Sequence, residues 1–124
     1  MTHTASHPAV VDCRRRAYDA LRVGEADTAF AELESAFAAD SHDPEVLCDL
    51  ATLALTHGEP ASALDFARHA LTLDATHAPS RAALALALAA EGSHAEARPL
   101  LEALRASSLP AGLRDALARV SATA

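Results

Sequence analysis

The sequence predicts an all-α chain built from antiparallel helix pairs, and three observations carry that prediction. The first is composition. Of 124 residues, 51% are hydrophobic but only 3% are aromatic, and there is no Trp, so the apolar content is mostly Ala and Leu, the strongest helix formers. The second is an internal period: Gly24, Gly58 and Gly92 stand 34 residues apart. In phase with them, Ala17, Ala51 and Ala85 precede each glycine by seven residues, and Ala29, Ala63 and Ala97 follow by five. The third is punctuation, with Pro8, Pro44 and Pro79 opening each copy behind "SHP", "HDP" and "HAP".

Each copy divides into two helices at its glycine. Proline suits the first helical turn, whose N–H groups have no intrahelical partner, and Asp43 is the best side-chain cap behind one. Glycine suits the left-handed conformation that closes a helix. The second helices start from "EAD", "EPAS" and "SHAE", where Ser93 with Glu96 reads as a capping box. Pro99 falls inside the last of these and predicts a kink or a late start, because it cannot donate to Ala95. After Pro110, Leu113, Leu117 and Val120 fall on one face of a short terminal helix. The expected organisation is a flexible tail over 1–8, three repeats over 9–110 (about 10–43, 44–77 and 78–110), and a capping helix with its tail over 111–124.

On these residues the chain resembles the tetratricopeptide repeat (TPR) family. Repeat two matches its pattern as Leu47, Leu50, Ala51 and Ala54, then Ala63, Ala67 and Ala70. Repeat three matches as Arg81, Leu84, Ala85 and Leu88, then Ala97, Leu101 and Leu104. Repeat one is weakest: Cys13, Arg16, Ala17 and Ala20, then Ala29, Leu33 and Ala36, with Arg16 where Leu is usual. The family's usual Pro at the end of the second helix is replaced by Ser41 and Ala75. The resemblance implies a right-handed α-solenoid whose first helices line a concave groove for partner peptides or helices.

Charge narrows the function classes. The net charge is −7, every basic residue is Arg, and ten carboxylates with no Arg lie between Val23 and Ala67. Such a middle repels phosphate backbones, so no nucleic acid is expected as partner. The longest Ala/Leu run, Ala82 to Ala90, is far short of the ~20 residues that span a bilayer, so no membrane insertion is expected. The opening "MTHTASHPAVVD" lacks the pattern of a secretory signal, and Cys13 and Cys48 are too few for a disulfide framework, so a cytoplasmic location is expected.

No catalytic constellation is visible. The seven histidines offer no ligand pair on one helix face and are expected at the surface, so neither a metal nor another cofactor is expected. Cys13 reads as a packing residue and Cys48 as a groove thiol, with no convergent His to activate either. An enzyme is therefore not expected.

What remains is the groove that the resemblance implies. Its columns run Val11, Glu45, Pro79; Arg14, Cys48, Ala82; Arg15, Asp49, Ala83; Tyr18, Thr52, Leu86; Leu21, Leu55, Ala89; and Arg22, Thr56, Ala90, and the contacts expected from them are Arg14, Arg15, Tyr18, Leu21 and Arg22 on the first repeat, Cys48, Thr52 and Leu55 on the second, and Leu86 and Ala89 on the third. This grades from basic through mixed polar and acidic to apolar, which suits a peptide with an acidic end near Arg14, Arg15 and Arg22. The blander reading of "CRRRAY" is surface ion pairing, Arg15 with Asp19 and Asp12 with Arg16. Some TPR domains grip a terminal carboxylate with Lys, Arg and Asn. Here Arg14 could serve, but Tyr18, Thr52, Pro79 and Ala83 occupy the other positions. Self-association through the apolar third repeat, or a small bacterial secretion chaperone, are the alternatives to an adaptor that binds a partner protein.

Overall fold

The computed structural model describes residues 7–104 as six helices joined by short turns. They are α1 (Pro8–Arg22), α2 (Ala26–Ala39), α3 (Pro44–Thr56), α4 (Pro60–Leu73), α5 (Ala78–Ala90) and α6 (His94–Leu104). Consecutive helices pair as hairpins, α1 with α2, α3 with α4 and α5 with α6, and α3 and α4 both pack on α5, so the hairpins stack into a helical solenoid. The capping helix expected over 111–124 and most of the tail over 1–8 lie outside the described residues.

The helix starts follow the proline punctuation with caps of two kinds. Asp43 Oδ1 accepts the Glu45 N–H at 2.9 Å, as expected for α3. At α1 and α5 the capping acceptor is imidazole: His7 Nδ1 accepts from Ala9 N at 3.1 Å and His77 Nδ1 from Ser80 N at 3.3 Å. Both histidines replace the usual hydroxyl or carboxylate in the same geometric role.

The turns within the three hairpins share one mechanism. Gly24, Gly58 and Gly92 have φ of 81°, 71° and 87°, the left-handed region that only glycine enters without strain. That conformation lets Glu25 N reach Ala20 O at 2.8 Å, Glu59 N reach Ala54 O at 2.9 Å and Ser93 N reach Leu88 O at 2.8 Å. The same three residues then open the next helices, their carbonyls accepting from Ala29, Ala63 and Ala97. The capping box expected at Ser93 and Glu96 is absent from the side-chain bonds among the described residues, because the Ser93 N–H is already held by Leu88. Helix α6 starts at His94 and runs through Pro99, so of the two expected outcomes the late start at Pro99 is corrected. One forfeited ladder bond is outweighed where Ala97 and Leu104 on either side are buried.

The small columns are small because helices meet there. Ala17, Ala51, Ala85, Ala29 and Ala63 are 0% exposed and Ala97 is 1% exposed. Bulk is supplied at the seams instead. Leu33, Val46, Leu50 and Leu53 form one cluster closed by Phe30, Phe37 and Phe66, and Phe37 meets His69 edge-on across α2 and α4 with centroids 6.1 Å apart. His69 is thus part of a packing contact.

The Ala/Leu helix α5 is apolar on every side because it packs on α3, α4 and α6. Leu86 is only 5% exposed and shares a cluster with Cys48, Ala82, Ala85 and Leu104, while Ala89 clusters with Leu88 and Ala97. This corrects the expectation of an open apolar third repeat: the Ala columns let the neighbouring helices approach closely enough to cover it.

Candidate functional site: the concave groove

A cavity of about 680 Å³ opens between α1 and α3. Helix α1 contributes Arg14, Tyr18 and Leu21, spaced so that all three fall on one face. Helix α3 contributes Glu45, Cys48, Asp49, Thr52, Leu53 and Thr56; Pro79 of α5 and Leu33 of α2 complete the lining. Along α3 the groove passes from carboxylates in the first half to Leu53 and Thr56 in the second.

The polar half is a connected network. Arg14 Nε donates to Asp49 Oδ2 at 2.5 Å, and Arg14 Nη2 donates to the Tyr18 hydroxyl at 2.7 Å and to Glu45 Oε2 at 3.3 Å. The Tyr18 hydroxyl donates in turn to Asp49 Oδ1 at 2.7 Å. The guanidinium also lies over the Tyr18 ring, 5.6 Å from its centroid. Burial opposes the Arg14 charge, but the Asp49 hydrogen bond and charge outweigh it and hold the guanidinium more firmly protonated than usual. Burial pushes the Asp49 carboxyl above its ordinary range, with Arg14 pulling the other way. Burial and the neighbouring Asp49 charge also raise the Tyr18 phenol, so it remains a donor.

From Glu45 the network continues into the third repeat. Glu45 Oε1 lies 2.7 Å from His77 Nε2, and His77 Nδ1 lies 2.6 Å from Ser80 Oγ. Since Nδ1 accepts the Ser80 backbone N–H, the proton is assigned to Nε2, which donates to Glu45. Hydroxyl, imidazole and carboxylate in line resemble a hydrolytic relay, but Ser80 is 0% exposed and His77 caps α5 by accepting the Ser80 N–H. The relay is structural. His77, expected at the surface, has a side chain only 10% exposed.

Five residues expected in the groove line it: Arg14, Tyr18, Leu21, Cys48 and Thr52. Arg15 points away, 68% exposed and 3.2 Å from Asp12, and Arg22 is 76% exposed and paired with Asp19. Leu55, Leu86 and Ala89 belong to the packed clusters behind the groove. The ion pairs also differ from those expected. Asp12 takes Arg15 and Asp19 takes Arg22 at i,i+3, because Arg16 reaches across the hairpin to Glu32 of α2. Cys48 is 5% exposed and its thiol is pushed up to about 12 by burial and the Asp49 charge, so it lines the wall without being a reactive group.

The sequence sets Glu45 and Asp49 in groove columns without naming them among the contacts, and it leaves His77 in a surface loop; the structure joins all three to the polar network. Glu45 and Asp49 form an acidic i,i+4 pair on α3 that meets Arg14 of α1, one column away from the Arg15 that shares a column with Asp49. Among the described residues no group of His, Cys, Asp and Glu could hold a metal ion.

No protein-family model and no curated protein matches the chain by sequence. Solved structures do match by shape. The first TPR of Spaghetti (RPAP3), bound to HSP90 peptide SRMEEVD, superposes with a TM-score of 0.79 at 16% identity, covering 96% of this chain and 98% of that one. The Sgt2 TPR domain from Aspergillus fumigatus gives 0.79 at 16% identity, covering 96% and 81%. The Arabidopsis OM64 TPR domain gives 0.76 at 14% identity, covering 94% and 97%.

Proposed function

From a chain whose fold is that of tetratricopeptide-repeat domains, we propose a non-enzymatic interaction module that takes a peptide or helix of a partner protein in its concave groove. The observation that carries this reading is exposed apolar surface in the right place. Tyr18 and Leu21 are 44% and 40% exposed and stand at a cavity of about 680 Å³. Domains of the same shape are held with peptides, HSP90 peptide SRMEEVD in Spaghetti and HSP70 peptide SGPTIEEVD in the second human RPAP3 domain. A cytoplasmic setting suits two free, buried thiols. Among the described residues no helix is long and apolar enough to cross a membrane. Self-association and the secretion-chaperone reading drew on an open third repeat, and the burial of Leu86 and Ala89 removes that support.

Tyr18 makes the test direct, since the chain has one Tyr and no Trp and its intrinsic fluorescence reports the groove. Peptides bound in the groove are expected to change Tyr18 emission saturably. Leu21→Asp is expected to weaken binding about tenfold, a loss of about 1.4 kcal/mol. Val23→Asp, at a position 71% exposed and outside the lining, serves as the control. Equal binding by wild type and Leu21→Asp would sink the groove as the site.

A further inference from the structure

The third repeat is joined to the groove wall through an imidazole, which makes the site responsive to protons. We propose that His77 is a pH-sensitive latch. Neutral, it caps α5 and fixes the groove wall beside it; protonated, it releases that cap and shifts the wall. The consequence for ligands rests on the peptide-binding reading above.

His77 fills its role in one protonation state only. Its Nδ1 accepts the Ser80 N–H at 3.3 Å and lies 2.6 Å from the Ser80 hydroxyl, while Nε2 donates to Glu45 Oε1 at 2.7 Å. A second proton goes to Nδ1, the ring nitrogen with the lone pair. Nδ1 then becomes a donor, the Ser80 hydroxyl turns to accept from it, and the Ser80 N–H loses its acceptor. Water does not replace that acceptor, because Ser80 is fully buried and the His77 side chain nearly so. On the other edge of the ring the new charge strengthens the contact with Glu45. Protonation therefore loosens the cap of α5 while tightening its link to α3.

Three residues of the groove lining adjoin this switch. Pro79 belongs to the first turn of α5, between the cap and Ser80. Cys48 is hydrogen-bonded to the Ser80 side chain. Glu45 holds Arg14 at 3.3 Å with its other oxygen. A relaxed first turn, a turned hydroxyl and a redrawn Glu45 all act on one wall, next to Arg14, Tyr18 and Asp49.

The charged groups around the ring come from several elements. Glu45 of α3 meets Nε2, with Arg14 of α1 beyond it and Asp49 one turn further along α3. Asp74, at the end of α4, interacts electrostatically with His77, and its carbonyl accepts the His77 N–H at 3.2 Å. On α5 itself, Arg81 donates its backbone N–H to the His77 carbonyl at 3.1 Å. Helix α6 packs on α5 through Leu100, Leu101 and Leu104, while its Glu102 is exposed.

The test follows the full chain without ligand from about pH 8 to about pH 5, the span in which histidine changes charge. Ring 15N shifts report the tautomer and midpoint of His77, amide exchange reports the Ser80 cap, and Tyr18 emission reports the groove. Nδ1 is expected to be unprotonated at high pH. As the ring charges, the protection factor of the Ser80 N–H is expected to fall about fivefold, and Tyr18 emission to change at the same midpoint. His77→Asn supplies a capping oxygen that does not titrate, so its Ser80 protection and Tyr18 emission should stay constant over that span. If this variant loses its helical circular dichroism, coincidence of the wild-type midpoints decides. A proton on Nδ1 at high pH, or Ser80 protection that does not change, overturns the latch. So does a Tyr18 response that departs from the His77 midpoint or persists in His77→Asn. These readouts need no peptide, so their failure leaves the groove reading to its own test by Leu21→Asp, and equal binding by Leu21→Asp removes the ligand consequence alone.

Discussion

The closed charge of Arg14 can be measured by a double-mutant cycle of Arg14→Met and Asp49→Asn. The two side chains are 22% and 14% exposed, between the fully wet pairs that couple by about 0.2–1 kcal/mol and the buried pairs whose disruption costs about 3–5 kcal/mol. Asp49 accepts from Arg14 at 2.5 Å on Oδ2 and at 3.4 Å on Oδ1, and from the Tyr18 phenol at 2.7 Å on Oδ1; Asn keeps the Oδ1 acceptor but loses the acceptor of the shortest bond. Each single substitution is therefore expected to cost about 2 kcal/mol and the double variant only slightly more, a coupling of about 1.5–2 kcal/mol. The internal control is Arg22→Met with Asp19→Asn, a pair 76% and 52% exposed, whose coupling should stay below about 0.5 kcal/mol and vanish in high salt. Urea unfolding followed by far-UV circular dichroism, at low and high salt, measures both cycles. Equal couplings for the two pairs, or a coupling below about 0.5 kcal/mol for Arg14 and Asp49, would mean that Arg14 is effectively solvated. The polar network read from the Arg14, Tyr18 and Asp49 geometry would then contribute nothing to stability.

Three further outcomes follow from the packing and the turns. Gly58→Ala meets no heavy atom within 4 Å, so only its φ of +71° is penalised; calorimetry should show a loss of about 1 kcal/mol, or about 4 °C, with Gly24→Ala and Gly92→Ala matching it. Ala51→Leu and Ala63→Leu, at fully buried positions, should each lower stability by about 1–3 kcal/mol through overpacking, read from urea midpoints. In carboxyl NMR titrations Asp74 should titrate below the usual range, held by the Thr76 hydroxyl and N–H, and Asp49 above it because of burial. The Asp74 contribution to stability is present above the unfolded carboxyl pKa and is lost as pH falls through the lower folded value. For Asp49 the preference for the folded state is present below the unfolded pKa and is lost as pH rises through its raised folded value.

Much of the architecture is legible in single residues because it is local. Proline at a helix start, glycine at positive φ and alanine at a close approach each follow from the covalent geometry of one residue and its immediate neighbours. These recur at one period and thereby mark three hairpins. Asp43 as a cap is legible for the same reason. His7 and His77 are not, because imidazole becomes a capping acceptor only when its tautomer is set by a partner, and for His77 that partner is Glu45, 32 residues away.

The groove divides along the same line. The sequence by itself determined which helix faces turn toward one another, and so placed Arg14, Tyr18, Leu21, Cys48 and Thr52 around one cavity. Only the tertiary structure decided what those faces offer a ligand. Side chains up to 35 residues apart meet there: Asp49 reaches Arg14 rather than its column partner Arg15, and Leu86 disappears beneath Cys48, Ala82 and Leu104. Column position follows from helical periodicity, but charge compensation and burial depend on distances across helices, which a long Arg side chain or a row of alanines can alter by a full residue's reach. A run that reads as basic along the chain is, in three dimensions, one arm of a closed polar network.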